Sequence, residues 1–449
     1  MTFQSASLTN QGYSLLERQI VAIRMKPRAS FAPLMLVLLA GSCPSADAAT
    51  LRVGRQRTYK TPCTAIAAAV PGDVIEIDAA LYRGDVCAWS TNNLTLRGVN
   101  GRAHLAAAGK NSQGKGIWVS SGNDTLIENV EFSGAVVPDE NGAGIRYSGV
   151  NLTVRNCYFH DNQEGILEGN VAGSNILIEN SEFENNGFHD GQSHNLYIGH
   201  AATLTFRFNY SHRAIAGHLL KSRAAVNYIL YNRLTEENGT GSYEINVPNG
   251  GTTYVIGNLI QQGTRSQNST LLSYLEEGIA PQNPGHDLYV VNNTFVNRAT
   301  SGAFVFMGAS GNLPALIQNN IFSGPGVVTN QTSAVLTTNF SGVPGFADKL
   351  TAGSPAIDAG TDPGLANGFS LKPQFEYAHP AGSEERLPLG KTIDIGAYEY
   401  RGAAQRARPI IQPTGLRAHS VAHVVSAERE VRFSAPICGP LLVPGEAIQ

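Results

Sequence analysis

Charge is scarce in this chain of 449 residues: Asp, Glu, Lys and Arg make up 15%, against roughly 25% in ordinary soluble domains. The formal net charge is -3, so neither sign dominates. Neither nucleic acid nor an anionic membrane surface is therefore an expected partner. Cysteine is also sparse, with five residues and no CxxC or Cys/His spacing of the kind that holds zinc. No apolar run is long enough to span a bilayer as a stable helix. A nucleophile elbow, a phosphate loop and a dinucleotide fingerprint are all missing. Amphipathic helical periodicity is missing too.

What the chain has is asparagine and repetition. Of its 35 Asn residues, 33 fall between positions 92 and 339. Asn is a poor former of helix and strand, but it tolerates turns and forms hydrogen-bonded ladders when stacked in register. One pattern recurs as LIENVEF (126–132), TVRNCYF (153–159), LIENSEF (177–183), TFRFNYS (205–211), ILYNRLT (229–235), VIGNLIQ (255–261), YVVNNTF (289–295) and LIQNNIF (316–322). The Asn129 slot is next filled by Asn156, Asn180, Phe208, Tyr231, Gly257, Asn292 and Asn319, at spacings of 27, 24, 28, 23, 26, 35 and 27. A period of that size marks a solenoid or array, while propeller blades need about 40 residues or more. Each repeat reads as short alternating strands broken by Gly, Asn or Asp. The prediction is an all-β chain folded as one parallel β-helix over 49–345, with inward ladders at the reference slot. Part-way along, the ladder moves on by one place, to Asn209, Asn232, Asn258, Asn293 and Asn320.

The ends read differently. Positions 25–50 begin with a basic stretch (Lys26, Arg28), continue through a short apolar run and end in the A-x-A pattern at Ala46–Ala48. That is an export signal, with cleavage expected near Ala48 and a secreted or periplasmic location. Residues 1–48 are then an upstream extension plus signal, and Cys43 is a second candidate processing point, for lipidation. Cys63 and Cys87 are the candidates for a disulfide in an oxidising compartment, and Cys157 reads as a small buried apolar residue. Residues 401–449 lose the repeat and read as a disordered tail.

These features resemble the right-handed parallel β-helix, or pectate-lyase-like, superfamily. The coils of N-x-x-F type, preceded by CTAIAAAVPGDVIEIDAALYRG, carry the resemblance, and TAIAAA matches the short helix that caps the first coil in that superfamily. GSPAIDAG (353–360) and IDIGAYEY (393–400) resemble a module at the end of secreted bacterial β-helix proteins. That implies a C-terminal cap over 346–400. The fold hosts lyases, hydrolases, epimerases and non-catalytic binding proteins, so the reaction must be argued from the site.

Titratable groups gather in one region: six of the 11 histidines lie between His160 and His218. Aligning a second strand through Ile145, Ile166, Leu196, Leu219 and Ile245 places Asn195, His218 and Glu244 in one outward column, with Arg146, Tyr197 and Asn246 beside them. Lys221 and Arg223 then follow in GHLLKSRA. A separate ladder of His160, Glu184 and His212 carries Asp161, Asn185 and Arg213 next to it. Stacking would merge these into one patch a few sugar rings long, with His194 and His200 among its binding groups.

The mixture of Lys, Arg, His, Tyr and Asn suits removal of a proton next to a sugar carboxylate, and so an acidic, uronate-containing polysaccharide. The candidate catalytic residues are Lys221, His218, Tyr197 and Arg223, with Asn195, His194, His200, Glu244, Asn246 and Arg146 binding substrate. GHLLKSRAAVNYILYNRL also resembles the lysine-bearing coil of the alginate-lyase and chondroitinase-type β-helix lyases, which implies Lys221 as base. Those enzymes carry calcium-binding glutamates where Gly217 and His218 stand here, so calcium is not indicated and no metal site is expected. The reading is a lyase or C5-epimerase, working as a monomer. Two alternatives stand: a non-catalytic β-helix protein that binds polysaccharide or cell envelope, and a glycoside hydrolase using Glu168, Glu184 or Glu244.

Overall fold

The computed structural model describes residues 48–189, 191–343 and 349–402. The expected export signal, Cys43 and the tail after Gly402 lie outside them. From Thr50 onward the chain winds through three long parallel sheets. Sheet I has 12 strands, from Thr50–Val53 to Val335–Thr337. Sheet II has 11, from Leu81–Arg83 to Phe340–Ser341, and sheet III has 10, from Cys87–Trp89 to Val327–Thr329. Each coil visits I, II and III in turn, as Leu152–Arg155, Tyr158–His160 and Glu164–Glu168 do.

Alternation decides which side chains face in. Leu152 and Val154 are buried while Thr153 and Arg155 are not. Equivalent inward residues then stack coil on coil. The rings of Phe132 and Phe159 lie 5.1 Å apart at 6°, and those of Phe159 and Phe183 lie 4.9 Å apart at 8°. One continuous apolar core runs from Val53 to Phe322. The helix Pro62–Ala68 adds Ala65 and Ile66 to it, and the Cys63–Cys87 disulfide (Cα–Cα 5.7 Å) ties that helix to the first strand of sheet III.

The corner between sheets I and II is turned by a single left-handed residue, the reference slot: Asn129 (φ 56°), Asn156 (50°), Asn180 (52°), Asn292 (52°) and Asn319 (56°). Asn tolerates that conformation better than most L-residues. The inward ladder is therefore not at the reference slot but one residue later, and this corrects the expected position. Asn209, Asn232, Asn258, Asn293 and Asn320 are all buried there. Each accepts, through its side-chain oxygen, the backbone N–H of the Asn in the preceding coil or, for Asn209, of Ser181.

Phe208 (φ 61°) and Tyr231 (φ 55°) hold the same left-handed slot, where bulky residues are strained. Their rings are covered by Phe375, at 5.3 and 5.6 Å. The C-terminal segment thus runs along the flank of the solenoid. Gln374 N–H donates to the Tyr231 hydroxyl, Asn292 donates to the Asp394 carbonyl and Asn180 donates to the Ala381 carbonyl. Asp394 accepts the N–H groups of Asp358 and Tyr400, and Asp358 accepts those of Lys391 and Thr392. A cap over 346–400 would cover the end of the last coil. Among the described residues, Val335 and Leu336 of that coil remain 49% and 53% exposed.

The interior also holds carboxyl groups. Glu236 and Glu244 are fully buried. Burial raises Glu236 to about 8, and the Gly241 N–H opposes only in part. Burial also pushes Glu244 well above the usual range, with Glu236 adding to it, and neither Glu244 oxygen has a hydrogen-bond partner among the described residues. The expected outward placement of Glu244 is thereby corrected; it is a neutral acid inside the solenoid.

Asn258→Ala removes the acceptor for Asn232 and the donor to the Ile229 carbonyl. Each buried polar group left unpaired costs about 1–3 kcal/mol, so urea unfolding should show a loss of about 3 kcal/mol or more. Asn175→Ala, on the exposed face, should cost under about 1 kcal/mol. Stability should also respond to pH. Between about 4.5 and about 8 folded Glu236 keeps a proton that the unfolded chain releases, so this group lowers stability as pH rises through that window. The melting-temperature gain of Glu236→Gln over the parent should grow from about pH 5 to about pH 8. A constant difference would contradict the buried neutral acid.

Candidate functional site

The outward column of sheet III is set by strand register. Val119 pairs with Arg146, Arg146 with Leu167, Leu167 with Tyr197, Tyr197 with Lys221, Lys221 with Asn246 and Asn246 with Ser273. At about 4.8 Å per coil, Arg146 to Ser273 span roughly 24 Å of one face. Lys221 stands in this column, in the place that the sequence alignment gave to Leu220. The true register puts Leu220, not Leu219, level with Leu196 and Ile245. GHLLKS spends one more residue in the preceding turn than the alignment allowed.

That one-residue slip relocates two expected site residues. His218 joins His194, not Asn195. The two imidazoles stack at 4.5 Å, His194 Nδ1 accepts the His218 N–H at 3.0 Å and His218 Nδ1 accepts the Tyr243 N–H at 3.3 Å. Both rings are buried. Burial, with Lys221 adding, holds His218 down at about 3, and burial lowers His194 well below the usual histidine range. Both are neutral structural groups behind the face. This corrects the expected catalytic role of His218: near neutral pH it has little proton affinity.

Asn195 is the second correction. It is fully buried and turned into the corner between sheets II and III. Its oxygen accepts from the Asn186 backbone and side chain, and its Nδ2 donates to Ser211 and to the His212 carbonyl. The next coil supplies Ala214 at that corner. The alanine side chain cannot accept a hydrogen bond from Asn186, so Asn195 completes the ladder instead.

Around Lys221 the groups converge. Its ammonium lies 5.2 Å from the centre of the Tyr197 ring. Arg223 donates Nε–H to the Tyr197 hydroxyl at 2.8 Å and pairs through both terminal nitrogens with Glu277, at 2.6 and 3.0 Å. Asn246 donates to Glu276 at 2.8 Å, and Ser273 donates to the same carboxylate at 2.6 Å; both are fully buried, which corrects the expected contact of Asn246 with substrate. Burial lowers the Lys221 pKa, Arg223 lowers it further and Glu277 and Glu276 oppose. Arg223 holds Glu277 below the ordinary carboxylate range. His200 stands beside Arg223, and burial lowers it as well. The sequence reading missed Glu276, Glu277 and Ser273; the signal was LLSYLEE, whose Ser273 follows Asn246 in the column.

The expected single patch divides between two faces. His160, Glu184 and His212 do form a ladder, paired in register, but on sheet II. Glu184 pairs there with Arg213. Glu168 is buried and accepts the backbone N–H groups of Val171, Asn170 and Gly199. The carboxylates expected for hydrolysis thus share no surface. Among the described residues, three or more His and carboxylate ligand atoms converge at two places, both on sheet II and neither beside Lys221. The oxygens of Glu276 and Glu277 are committed to Asn246, Ser273 and Arg223, which leaves them poorly disposed as calcium ligands. Further along the column a shallow concavity is lined by Ala88, Gln113, Val119, Ser121 and Ser148, on the same face as Arg146. No helix among the described residues is long and apolar enough to cross a membrane.

Residues 85–188 match the family described as "Right handed beta helix region". No curated protein matches the chain. Among solved structures, the pectate lyase Pel9A is similar at a TM-score of 0.56 and 14% identity, over 79% of this chain and 98% of that one. A pectin methylesterase from Aspergillus niger is similar at 0.31 and 14%, over 72% and 93%. A mutant of the PL6-family alginate lyase AlyGC is similar at 0.26 and 13%, over 81% and 59%. With three in-register parallel sheets around one core, the chain is a right-handed parallel β-helix protein of pectate-lyase-like fold.

Proposed function

We propose that the outer face of sheet III binds an acidic polysaccharide and removes the proton next to a uronate carboxylate, as a lyase or C5-epimerase of an exported protein. The observation that carries this reading is the partly buried Lys221 amine, whose proton affinity is lowered by burial and by Arg223. An ordinary lysine, with a pKa near 10.4, is a poor base at neutral pH. The similarity to a pectate lyase and the Cys63–Cys87 disulfide support the substrate class and the export.

In this reading Lys221 takes the proton from the carbon next to the carboxylate. In elimination the electron pair forms a C=C bond as the glycosidic C–O bond breaks, and the leaving oxygen takes a proton. Tyr197 is placed for that last step. Its oxygen already accepts the Arg223 N–H, so its own proton points elsewhere and is free to be donated. Arg146, two coils from Tyr197 along the column, suits the carboxylate of a neighbouring sugar. Arg223 is a positioning residue, held by Glu277 and holding Tyr197. In epimerisation the same base and acid act on opposite faces of the ring, and no bond to the next sugar breaks.

The test is turnover on a panel of uronate polysaccharides, followed by ultraviolet absorbance of the unsaturated product and by deuterium incorporation at the epimerised carbon. Lys221→Ala should lower turnover by a factor of about 10² to 10⁴ with binding retained. Arg146→Ala should weaken binding with a smaller effect on the rate. If the parent binds polysaccharide but shows neither signal, the site is a binding face. If Lys221→Ala turns over like the parent, the base lies elsewhere.

A further inference from the structure

Sheet II carries a second constellation that the groove does not use. His104, Glu131 and His160 stand on three successive coils: His104 pairs in register with Glu131, and His160 lies one coil further and two residues along. Their inward neighbours Leu105, Phe132 and Phe159 are fully buried, which fixes the three polar side chains on the outer face. His104 Nδ1 lies 3.3 Å and His160 Nε2 lies 3.2 Å from the same oxygen, Glu131 Oε1.

We propose that His104, Glu131 and His160 bind one divalent transition-metal ion of the zinc class on the outer face of sheet II. Two tetrahedral ligands bonded at about 2.0–2.1 Å stand roughly 3.3 Å apart, the separation seen for both His–Glu pairs. The three ligand atoms all lie within 4.8 Å of one another, so closing the His–His edge needs a shift of about 1–2 Å by half-exposed side chains. Two imidazoles and one carboxylate leave further positions open to solvent, a donor set suited to zinc, cobalt or nickel and not to calcium.

The outer partners of the histidines make the stronger case. His160 Nδ1 lies 2.7 Å from Asp161 Oδ2, and Asp161 is itself held by Asn185. With Nδ1 engaged by Asp161, Nε2 is the ring nitrogen turned toward Glu131, 3.2 Å from its oxygen. A carboxylate fixing the far nitrogen of a metal-bound histidine is a recurrent device. His104 has the matching arrangement, its Nε2 lying 2.7 Å from Ser133 Oγ. The other sheet II cluster, Glu182, Glu184 and His212, does not compete. Glu184 there is neutralised by Arg213, whereas no Arg or Lys pairs with Glu131 among the ion pairs of the described residues.

Calorimetric titration of the chelator-treated full chain with Zn²⁺, and the visible spectrum of its Co²⁺ form, test this independently of any activity in the groove. The parent should bind one equivalent with a tetrahedral Co²⁺ spectrum. His104→Ala, His160→Ala and Glu131→Gln should each weaken binding by about 100-fold or more, with the metal-free melting temperature checked for each. Asp161→Asn keeps the left-handed backbone of Asp161 (φ 55°) and should cost about 10- to 100-fold. Zn²⁺ affinity unchanged in the folded His104→Ala and His160→Ala variants would overturn the proposal, as would tighter binding of Ca²⁺ than of Zn²⁺.

Discussion

Register between stacked coils is the constraint on which the rest of this molecule depends. A parallel β-helix has no thick core; it has a narrow column whose every layer must sit squarely on the next. The left-handed corner residue and the buried Asn after it enforce that fit from Asn209 to Asn320. Each Asn side chain carries the hydrogen bonds of two coils, so a slip of one residue would break several buried bonds at once. The same corners decide where the chain can hold strain. Phe208 and Tyr231 adopt backbone angles unfavourable to aromatics because the C-terminal segment offers Phe375 to cover them.

In-register stacking also builds the outer faces. Residues roughly 20 to 30 apart in sequence become neighbours about 4.8 Å apart, so the outer columns of sheets II and III act as ruled lines of side chains. The lines differ in electrostatic character. On sheet III the groups balance around a cation short of water: Lys221 is partly buried, Arg223 is neutralised by Glu277, and the histidines behind are uncharged. On sheet II the histidines face carboxylates directly, at His104–Glu131, His160–Asp161 and His212–Glu182. One solenoid thus carries a partly buried amine on one face and a cluster of histidine and carboxylate groups on another.

The repeat was legible because a period near 26 residues and a recurring Asn leave few other folds. The inward slot was misplaced by one because the left-handed Asn and the buried Asn are the same residue type, side by side in VNN and QNN. The outer column was legible in kind: Tyr197, Lys221, Arg223 and Arg146 do reach the surface of sheet III, while Asn246 shares that column but is fully covered. Asn195, His218 and Glu244 do not reach it, and the reason is local. The turn before Leu220 holds an extra residue, and no spacing rule shows whether HLL enters its strand at the first or the second Leu. An Asn drawn into a corner because the Ala214 side chain cannot accept a hydrogen bond is likewise a three-dimensional fact. Glu276 and Glu277 arrive from one coil beyond the segment where the titratable residues gather.

The proposed chemistry requires Lys221 to be an amine with depressed proton affinity on a face that takes up polysaccharide. The most direct measurement is its titration, read by mass spectrometry from the pH dependence of acylation at Lys221, with and without an oligouronate. Half-reaction is expected clearly below the value of about 10.4 for a free lysine, with protection when the oligosaccharide is bound. A Lys221 that titrates at or above the free value, and reacts equally in the presence of the sugar, would contradict it.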